Sequence, residues 1–401
     1  MRRLLSLVLV ALSSFAHAQT NVDLGAKRGT YGVGLQVIQQ YDSSREYIRR
    51  PEPAAGVAGD SERARPVLTL VWYPTRESGG TVTNADYLRI SRGDEQFDLT
   101  PQEIDRKVDA WVSARATRMP REAVQKELQQ AMWAQRDAAP AQGKYPLVIY
   151  APGFGSAALE NAELCEYLAS HGYVVMASAS MGSRSRAMTP DLDGIEAQAA
   201  DIAFLIGSAH RFAQTDLAHI GVIGFSWGGI SNVVAAARDN RIRALVSLDG
   251  ALRYAPAFVN GSAGAAKDVS PARVAVPLLF VASRSRSIEE LNSEKTDTSY
   301  SFMNGMNNSD VYIATMRPMR HLDFASQILR FTPPDMKDEY ARKDVHIAYG
   351  WTVRYVHEFL DAYLKDSAPA RAFLVKPASE NGAPSHMMTL EQRLTGGTTS
   401  K

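Results

Sequence analysis

The stretch that decides the fold is Ile220-Gly221-Val222-Ile223-Gly224-Phe225-Ser226-Trp227-Gly228-Gly229. It reads as an apolar strand over 219–224 that leads through a tight turn into a small-residue helix over 228–237. Glycines two positions before and after Ser226 remove side chains that would collide at such a turn, which leaves the serine hydroxyl exposed. A Gly-x-Ser-x-Gly pattern can also be a purely structural turn, but its position between a strand and a helix favours a nucleophilic serine.

Around this turn, strands and helices alternate along the chain. The predicted strands cover 145–151, 173–179, 219–224, 244–248, 274–281 and 310–314, and the predicted helices cover 160–170, 195–209, 228–237 and 351–364. Continuous apolar strands alternating with helices predict an α/β fold with a mostly parallel sheet covered on both faces. In such sheets, functional groups gather at the carboxyl ends of the strands.

Outside this repeat, strands over 31–38 and 66–73 are predicted to be antiparallel and to lie at the edge of the sheet. Two amphipathic helices separated near Pro120 are predicted within a helical insert at about 101–135. The apolar positions of the insert are Ile104, Val108, Trp111, Val112, Val124, Leu128, Met132 and Trp133. The apolar face of an amphipathic helix usually packs against a core, which here would be the sheet. The alternative is that the two helices form a lid over a pocket.

A serine hydroxyl needs a base to take its proton, and histidine has a suitable pKa. His321 follows the strand over 310–314 in the last third of the chain, where the order Ser, acid, His places the base. The other histidines of the expected mature chain are not preferred. His219 opens the strand that carries the serine and should lie at the opposite end of the sheet. His171 and His357 are interpreted as surface or packing residues, and no motif surrounds His210, His346 or His386.

The base needs a carboxylate that fixes its tautomer. Asp249 comes directly after the strand over 244–248 and is the first candidate. Glu289 or Glu290, after the strand over 274–281, stays open as an alternative, whereas Asp323 is too close in sequence to His321 to be preferred.

Backbone N–H groups must also stabilise the oxyanion that forms in acyl transfer. One is predicted to belong to Trp227, immediately after the serine. The second is predicted to belong to Phe154, in a turn where Gly153 and Gly155 allow close approach. A plain strand-to-helix connection is the alternative reading of that turn.

These residues resemble the α/β-hydrolase superfamily, and within it the dienelactone-hydrolase and platelet-activating-factor-acetylhydrolase-like esterases. The resemblance covers roughly 31–75 and 144–365, and the segments that carry it are Tyr145–Gly155, Leu168–Val175 and Ile220–Gly229. It implies a serine ester hydrolase that acts on small-acyl or lipid-like carboxylic esters through an acyl-enzyme, without a metal or cofactor.

The acid and the nucleophile separate the branches of this superfamily. In the acetylhydrolase branch the acid follows the strand after the nucleophile helix, which is where Asp249 lies. Dienelactone hydrolases use a cysteine nucleophile and place the acid one strand later, so this chain departs from them. The Pro152-Gly153-Phe154 turn is similar to that of bacterial cutinases and polyester hydrolases, so polyester cleavage is an alternative.

A weaker pattern concerns the substrate. Ser-Arg-Ser-Arg occurs at 183–186 and at 283–286, and both copies follow predicted strands. Arg184 and Arg284 are therefore candidates to line the site and bind an anionic or zwitterionic ester. Solvated loop arginines are the alternative and the commoner case.

The amino terminus predicts export. Arg2 and Arg3 precede an apolar run that ends at Leu12, and Ala16-His17-Ala18 has the form of a cleavage site. We interpret 1–18 as a secretory signal, which predicts a periplasmic or extracellular protein. Residues 19–378 are then expected to form a single domain, followed by a Gly-, Ser- and Thr-rich tail over 379–401 that is expected to be loosely ordered.

Composition excludes several classes of function. The 401 residues are 45% hydrophobic and 22% charged, which is typical of a globular protein. Forty-four basic and 43 acidic side chains give a net charge of +1, so no overall field draws the chain to nucleic acid. Cys165 is the only cysteine, which excludes an internal disulfide and a cysteine-based zinc site. A peptidase on the same fold and an exported binding protein with an idle site are the competing functions.

Overall fold

A computed structural model describes residues 27–48, 63–76, 79–261, 266–284, 299–333, 336 and 338–395. The predicted signal segment 1–18 lies outside the described residues, as do Glu289 and Glu290. Among the described residues, no helix is both long enough and apolar enough to cross a membrane.

The centre of the structure is a mixed sheet. Its strands in the described residues are β1 (Gly32–Tyr47), β2 (Arg63–Thr75), β3 (Gly80–Thr83), β4 (Ala131–Arg136), β5 (Tyr145–Ala151), β6 (Val174–Ser178), β7 (Thr215–Phe225), β8 (Ile242–Leu248), β9 (Leu278–Ser283), β10 (Val311–Met316) and β11 (Met388–Arg393). Their order in the sheet is β11-β10-β9-β8-β7-β5-β6-β2-β1-β4-β3. The six neighbours from β10 to β6 are parallel to one another, as the alternating pattern predicted.

Helices cover both faces of this sheet. Those in the described residues are α1 (Asn84–Ser91), α2 (Pro101–Arg115), α3 (Arg121–Leu128), α4 (Ala162–Ser170), α5 (Leu192–Ser208), α6 (Gly228–Arg238), α7 (Ser301–Gly305), α8 (Ser326–Arg330), α9 (Arg342–Leu364) and α10 (Ala368–Val375). Short 3₁₀ turns occur at Ala158–Asn161, Ala209–Arg211, Pro256–Val259 and His321–Phe324.

Two large apolar clusters account for the continuous hydrophobic strands. One contains residues of α4 and α9, and the other contains residues of α5 and α6. All seven residues of β5 are buried because the strand has helices on both faces. Cys165 is buried in α4 as a small apolar residue. The predicted α/β fold is confirmed.

The predicted edge position of the first two strands is wrong. β1 and β2 are antiparallel as expected, but β4 pairs with β1 and β3 pairs with β4, so the edge lies two strands further out. Met132 and Trp133, predicted to be helical, lie in β4, where buried and half-buried positions alternate. A short apolar run fits both the helical and the strand periodicity. Here the pairing with β1 made it a strand.

The helical part of the insert therefore ends at Leu128, and its apolar face does not cover the sheet directly. It packs against α1 and Phe331 in a separate small cluster that consists of Leu88, Val112, Met119, Val124, Leu128 and Phe331. The buried Arg330 joins this insert to the core, because its guanidinium pairs with Glu127 of α3 and with Glu163 of α4.

The predicted loosely ordered tail also needs correction. Met388–Arg393 forms β11, which pairs antiparallel with all six residues of β10. The exposed edge of a strand has unpaired N–H and C=O groups. A later segment can form hydrogen bonds with them through its own backbone, whatever its side-chain composition. Residues 396–401 lie outside the described part of the chain.

Candidate active site

Ser226 lies at the turn between β7 and α6 with a φ of 52°. A side chain on either flanking glycine could not fit: a Cβ on Gly224 would lie 2.1 Å from the Gly228 carbonyl oxygen, and one on Gly228 would lie 2.1 Å from that of Ala151. Backbone atoms therefore approach both flanking positions so closely that only glycine fits. This explains the Gly-x-Ser-x-Gly pattern in the sequence.

A chain of hydrogen bonds joins the three predicted residues. The Nε2 atom of His321 lies 2.8 Å from Ser226 Oγ, and its Nδ1 atom lies 2.7 Å from Asp249 Oδ2. The ring of Phe225 stacks on the imidazole, with ring centres 5.1 Å apart. Asp323 instead accepts hydrogen bonds from the backbone and side chain of Arg320. The fold thus brings together residues 72 and 95 positions apart in sequence.

Asp249 is completely buried and has a φ of 41°, which is unusual for a residue with a side chain. Its Oδ1 atom accepts a hydrogen bond from Ser283 N–H at 3.0 Å, and the Tyr254 hydroxyl lies 2.8 and 2.9 Å from its two oxygens. Burial alone would raise the pKa of Asp249, but the bonds from His321, Ser283 and Tyr254 hold it below its usual value. Asp249 is therefore ionised at neutral pH and can orient the imidazole.

The loop that carries His321 is held from two sides. The backbone N–H of Arg284, directly after β9, donates to the Met319 carbonyl at 2.9 Å. The buried Asn161 donates to the Phe324 carbonyl at 2.8 Å and accepts from Ser326 N–H at 3.2 Å. Asn161 thus ties this loop to the segment that follows the predicted oxyanion turn.

That turn follows β5. Ser156 N–H donates to the Gly153 carbonyl at 3.0 Å, which closes a turn with Phe154 at its second position, where the N–H is not used by the turn itself. Trp227 precedes α6, and the first amides of a helix have no acceptor inside it. Both predicted amide donors therefore stand at positions where backbone N–H groups are available.

Two side chains that the sequence analysis missed hold this turn. Glu160, which is buried, accepts from Gly153 N–H at 2.8 Å and from the Tyr150 hydroxyl at 3.0 Å. Gln198 of α5 donates to the Pro152 carbonyl at 2.7 Å. Burial raises the pKa of Glu160 despite these bonds. No local pattern marks either residue, because each acts on backbone that only folding brings close.

Aromatic and apolar side chains lie near the residues that directly follow the serine and the base. The Phe154 ring, 46% exposed, packs edge-on against Trp227 with ring centres 5.8 Å apart, and Phe258 lies 6.2 Å from Trp227 on another side. Leu322, directly after His321, is 52% exposed. The residues directly after the serine and the base therefore have apolar side chains around them or are themselves apolar and exposed.

The predicted arginine pair has other partners. Arg184 forms an exposed ion pair with Glu46 at 3.0 Å, and Arg284 pairs with Asp338 at 2.7 Å. Each positive charge is already matched by a carboxylate, so the structure does not support a clamp for an anionic substrate. Within the described ranges, no group of three or more His, Cys, Asp or Glu side chains could hold a metal ion.

No protein-family model matches this chain, and no curated protein matches it. Solved structures do match. The chain is similar to a ferulic acid esterase from Streptomyces cinnamoneus, with a TM-score of 0.61 and 20% sequence identity over 92% of this chain and 98% of that chain. At this identity the similarity concerns the fold, and together with the strand order it shows that the chain has the α/β-hydrolase fold.

Proposed function

We propose that this chain is a serine hydrolase of carboxylic esters. The observation that carries the proposal is the imidazole of His321, which lies within hydrogen-bond distance of both Ser226 Oγ and the buried Asp249 carboxylate. A base placed between a nucleophile and an orienting acid is the arrangement that activates a serine hydroxyl.

The reaction follows from this geometry. Ser226 Oγ attacks the ester carbonyl carbon while its proton passes to His321 Nε2, and Asp249 stabilises the imidazolium that forms. The negative charge on the carbonyl oxygen is stabilised by the Phe154 and Trp227 N–H groups. The tetrahedral species then expels the alkoxide, which takes the proton from His321. Water repeats the sequence on the acyl-enzyme and releases the acid and free Ser226.

The substrate class is part of the proposal. The aromatic rings of Phe154 and Phe258, which pack against Trp227, and the exposed Leu322 after His321 support an ester with an apolar or aromatic acyl group, small or lipid-like. The position of Asp249 after β8 supports the acetylhydrolase-like branch. The signal-like segment at 1–18 supports action in the periplasm or outside the cell.

Hydrolysis of p-nitrophenyl acetate, butyrate and octanoate and of methyl ferulate tests the proposal. The chain without residues 1–18 is compared with Ser226→Ala and with Ser208→Ala, a control in which the hydroxyl bonded to the Leu205 carbonyl is removed from α5. We expect the first variant to lose at least about 10³-fold in kcat and the control to retain activity. Equal activity of Ser226→Ala and the unmodified chain would refute the assignment of the nucleophile.

Covalent labelling separates this function from an idle binding site. A fluorophosphonate should modify the unmodified chain and the Ser208→Ala control but leave Ser226→Ala unlabelled. A folded chain that is neither labelled nor active on any of these esters would support the binding-protein alternative.

A further inference from the structure

Tyr254 is placed behind the candidate site, on the segment that follows β8. Its hydroxyl donates to the Asp249 carboxylate and lies nearly equidistant from the two oxygens, at 2.8 and 2.9 Å. Its ring lies edge-on to the imidazole of His321, with ring centres 6.1 Å apart. Tyr254 therefore touches the orienting acid, and its ring lies beside the base.

Arg253, the preceding residue, places a positive charge next to this tyrosine. Its guanidinium carbon lies 5.7 Å from the centre of the Tyr254 ring and 4.5 Å from that of Tyr300. The side chain is only 7% exposed. Among the described residues it forms no ion pair, and its buried Nε has no hydrogen-bond partner. A buried cation that has no carboxylate partner in the described part of the chain is costly there, so its position calls for a reason.

Three of the five non-glycine residues with positive φ in the described residues lie in this region. Non-glycine residues with positive φ include Ser226, Asp249 and Tyr300, the ring that lies under Arg253. Strained residues cluster where the structure must hold a side chain in one orientation. The strained positions thus run from the nucleophile through the acid to the residue that supports Arg253.

We propose that Tyr254, with Arg253 beside it, is a positioning residue that acts on the reaction through Asp249. Its hydroxyl fixes the plane of the carboxylate, so that Oδ2 points at His321 Nδ1 while Oδ1 is held by Ser283. Because the same hydroxyl and the nearby cation draw negative charge away from Oδ2, they also limit how strongly Asp249 favours the protonated imidazole. Without the hydroxyl and the cation, Asp249 would favour the imidazolium more strongly. This inference rests on the proposed serine esterase function.

The sign of the effect follows from Coulomb's law. The distances of 5.7 and 6.1 Å place the guanidinium carbon within about 12 Å of the His321 ring centre. Removing a positive charge at that distance favours protonation of the base by roughly half a pH unit at an effective dielectric constant of about 40. Removing the hydroxyl acts in the same direction, because Asp249 then loses one donor and attracts the imidazolium more strongly.

Other charged groups near the site remain in place in both variants. They are Glu160 from the segment after β5, Arg320 and Asp323 from the turn that carries His321, Tyr300 from the segment before α7, and Glu391 from β11. Since none of them is altered, a change in the pH profile reports on Tyr254 or Arg253 alone.

The test is the pH profile of kcat/KM on p-nitrophenyl butyrate for Tyr254→Phe, which keeps the ring and removes the hydroxyl. Tyr173→Phe is the matched control, because the Tyr173 hydroxyl also binds a carboxylate, that of Asp361, at 2.5 Å and precedes β6 at the opposite end of the sheet. We expect the acidic limb of the Tyr254→Phe profile to move to higher pH and its plateau to fall about tenfold, with the control unchanged.

Arg253→Met provides a second variant that does not depend on the folding of the first. Its acidic limb should also move to higher pH. An acidic limb at the wild-type position in the folded Tyr254→Phe and Arg253→Met variants overturns the proposal, even where thermal stability falls, because a merely structural role would change stability without moving the limb. Failure of the serine esterase function itself would be distinguished by Ser226→Ala retaining wild-type activity.

Discussion

The buried carboxylate of Glu160 offers the sharpest test of how the predicted oxyanion turn is held. Glu160→Leu removes the acceptor of two buried donors, Gly153 N–H and the Tyr150 hydroxyl. Each buried donor left without a partner costs about 1–3 kcal/mol, so we expect a loss of about 2–6 kcal/mol in the free energy of unfolding. That is a large part of the roughly 5–15 kcal/mol that stabilises a typical domain.

The effect on catalysis should exceed what lost stability explains. With Gly153 released, the adjacent Phe154 N–H no longer has a fixed direction, and loss of one oxyanion donor costs about 10²- to 10³-fold in kcat. Glu160→Gln keeps an oxygen that can accept both bonds, so its kcat should stay within about tenfold of wild type.

Glu166 provides a matched control for this experiment. It is also buried, and it also accepts from a tyrosine hydroxyl, that of Tyr87 at 2.6 Å, and from a backbone N–H, that of Trp133 at 2.8 Å. Glu166→Leu should therefore lose similar stability while its folded form keeps its kcat. Urea unfolding and kcat on p-nitrophenyl butyrate are measured for each variant. A folded Glu160→Leu with kcat within about threefold of wild type would refute a role for Glu160 in positioning the turn.

Three further predictions use other parts of the structure. Gly228→Ala should abolish activity and reduce the yield of folded protein, because its Cβ would lie 2.1 Å from the Ala151 carbonyl oxygen; a folded, active variant would contradict the packing of the turn. Arg184→Ala and Arg284→Ala should change KM equally for neutral and anionic esters, since both arginines are paired with carboxylates. A rise in KM for anionic esters alone would instead support substrate binding by these arginines. Burial raises the pKa of Glu166 to about 7, above its unfolded value, so its contribution to stability is greatest below about pH 4.5 and falls as the pH rises towards 7. Glu166→Gln should flatten that dependence, by up to about 3 kcal/mol between pH 5 and pH 8 in urea unfolding, and an unchanged slope would count against it.

Part of this structure could be predicted because the responsible forces act over a few residues. Glycine is needed around Ser226 because any side chain there would collide with nearby backbone. The strands are continuously apolar because both of their faces are buried. Local patterns failed where two periods fit equally well. Met132 and Trp133 fit a helical spacing, yet pairing with β1 made them part of a strand.

By itself, the sequence determined the α/β-hydrolase fold, the turn that carries Ser226, and the chain order that pointed to Asp249 and His321. Only the tertiary structure decided the contacts around these groups, such as Glu160 on the turn after β5 and Tyr254 on Asp249, and the pairing of β11 with β10. The physical reason is the distance along the chain over which each interaction acts. Side-chain periodicity and backbone strain depend on neighbours within a few residues, whereas a hydrogen bond depends on distance in space. Residues as far apart as 95 positions, such as Ser226 and His321, come within 2.8 Å only when the whole sheet has assembled.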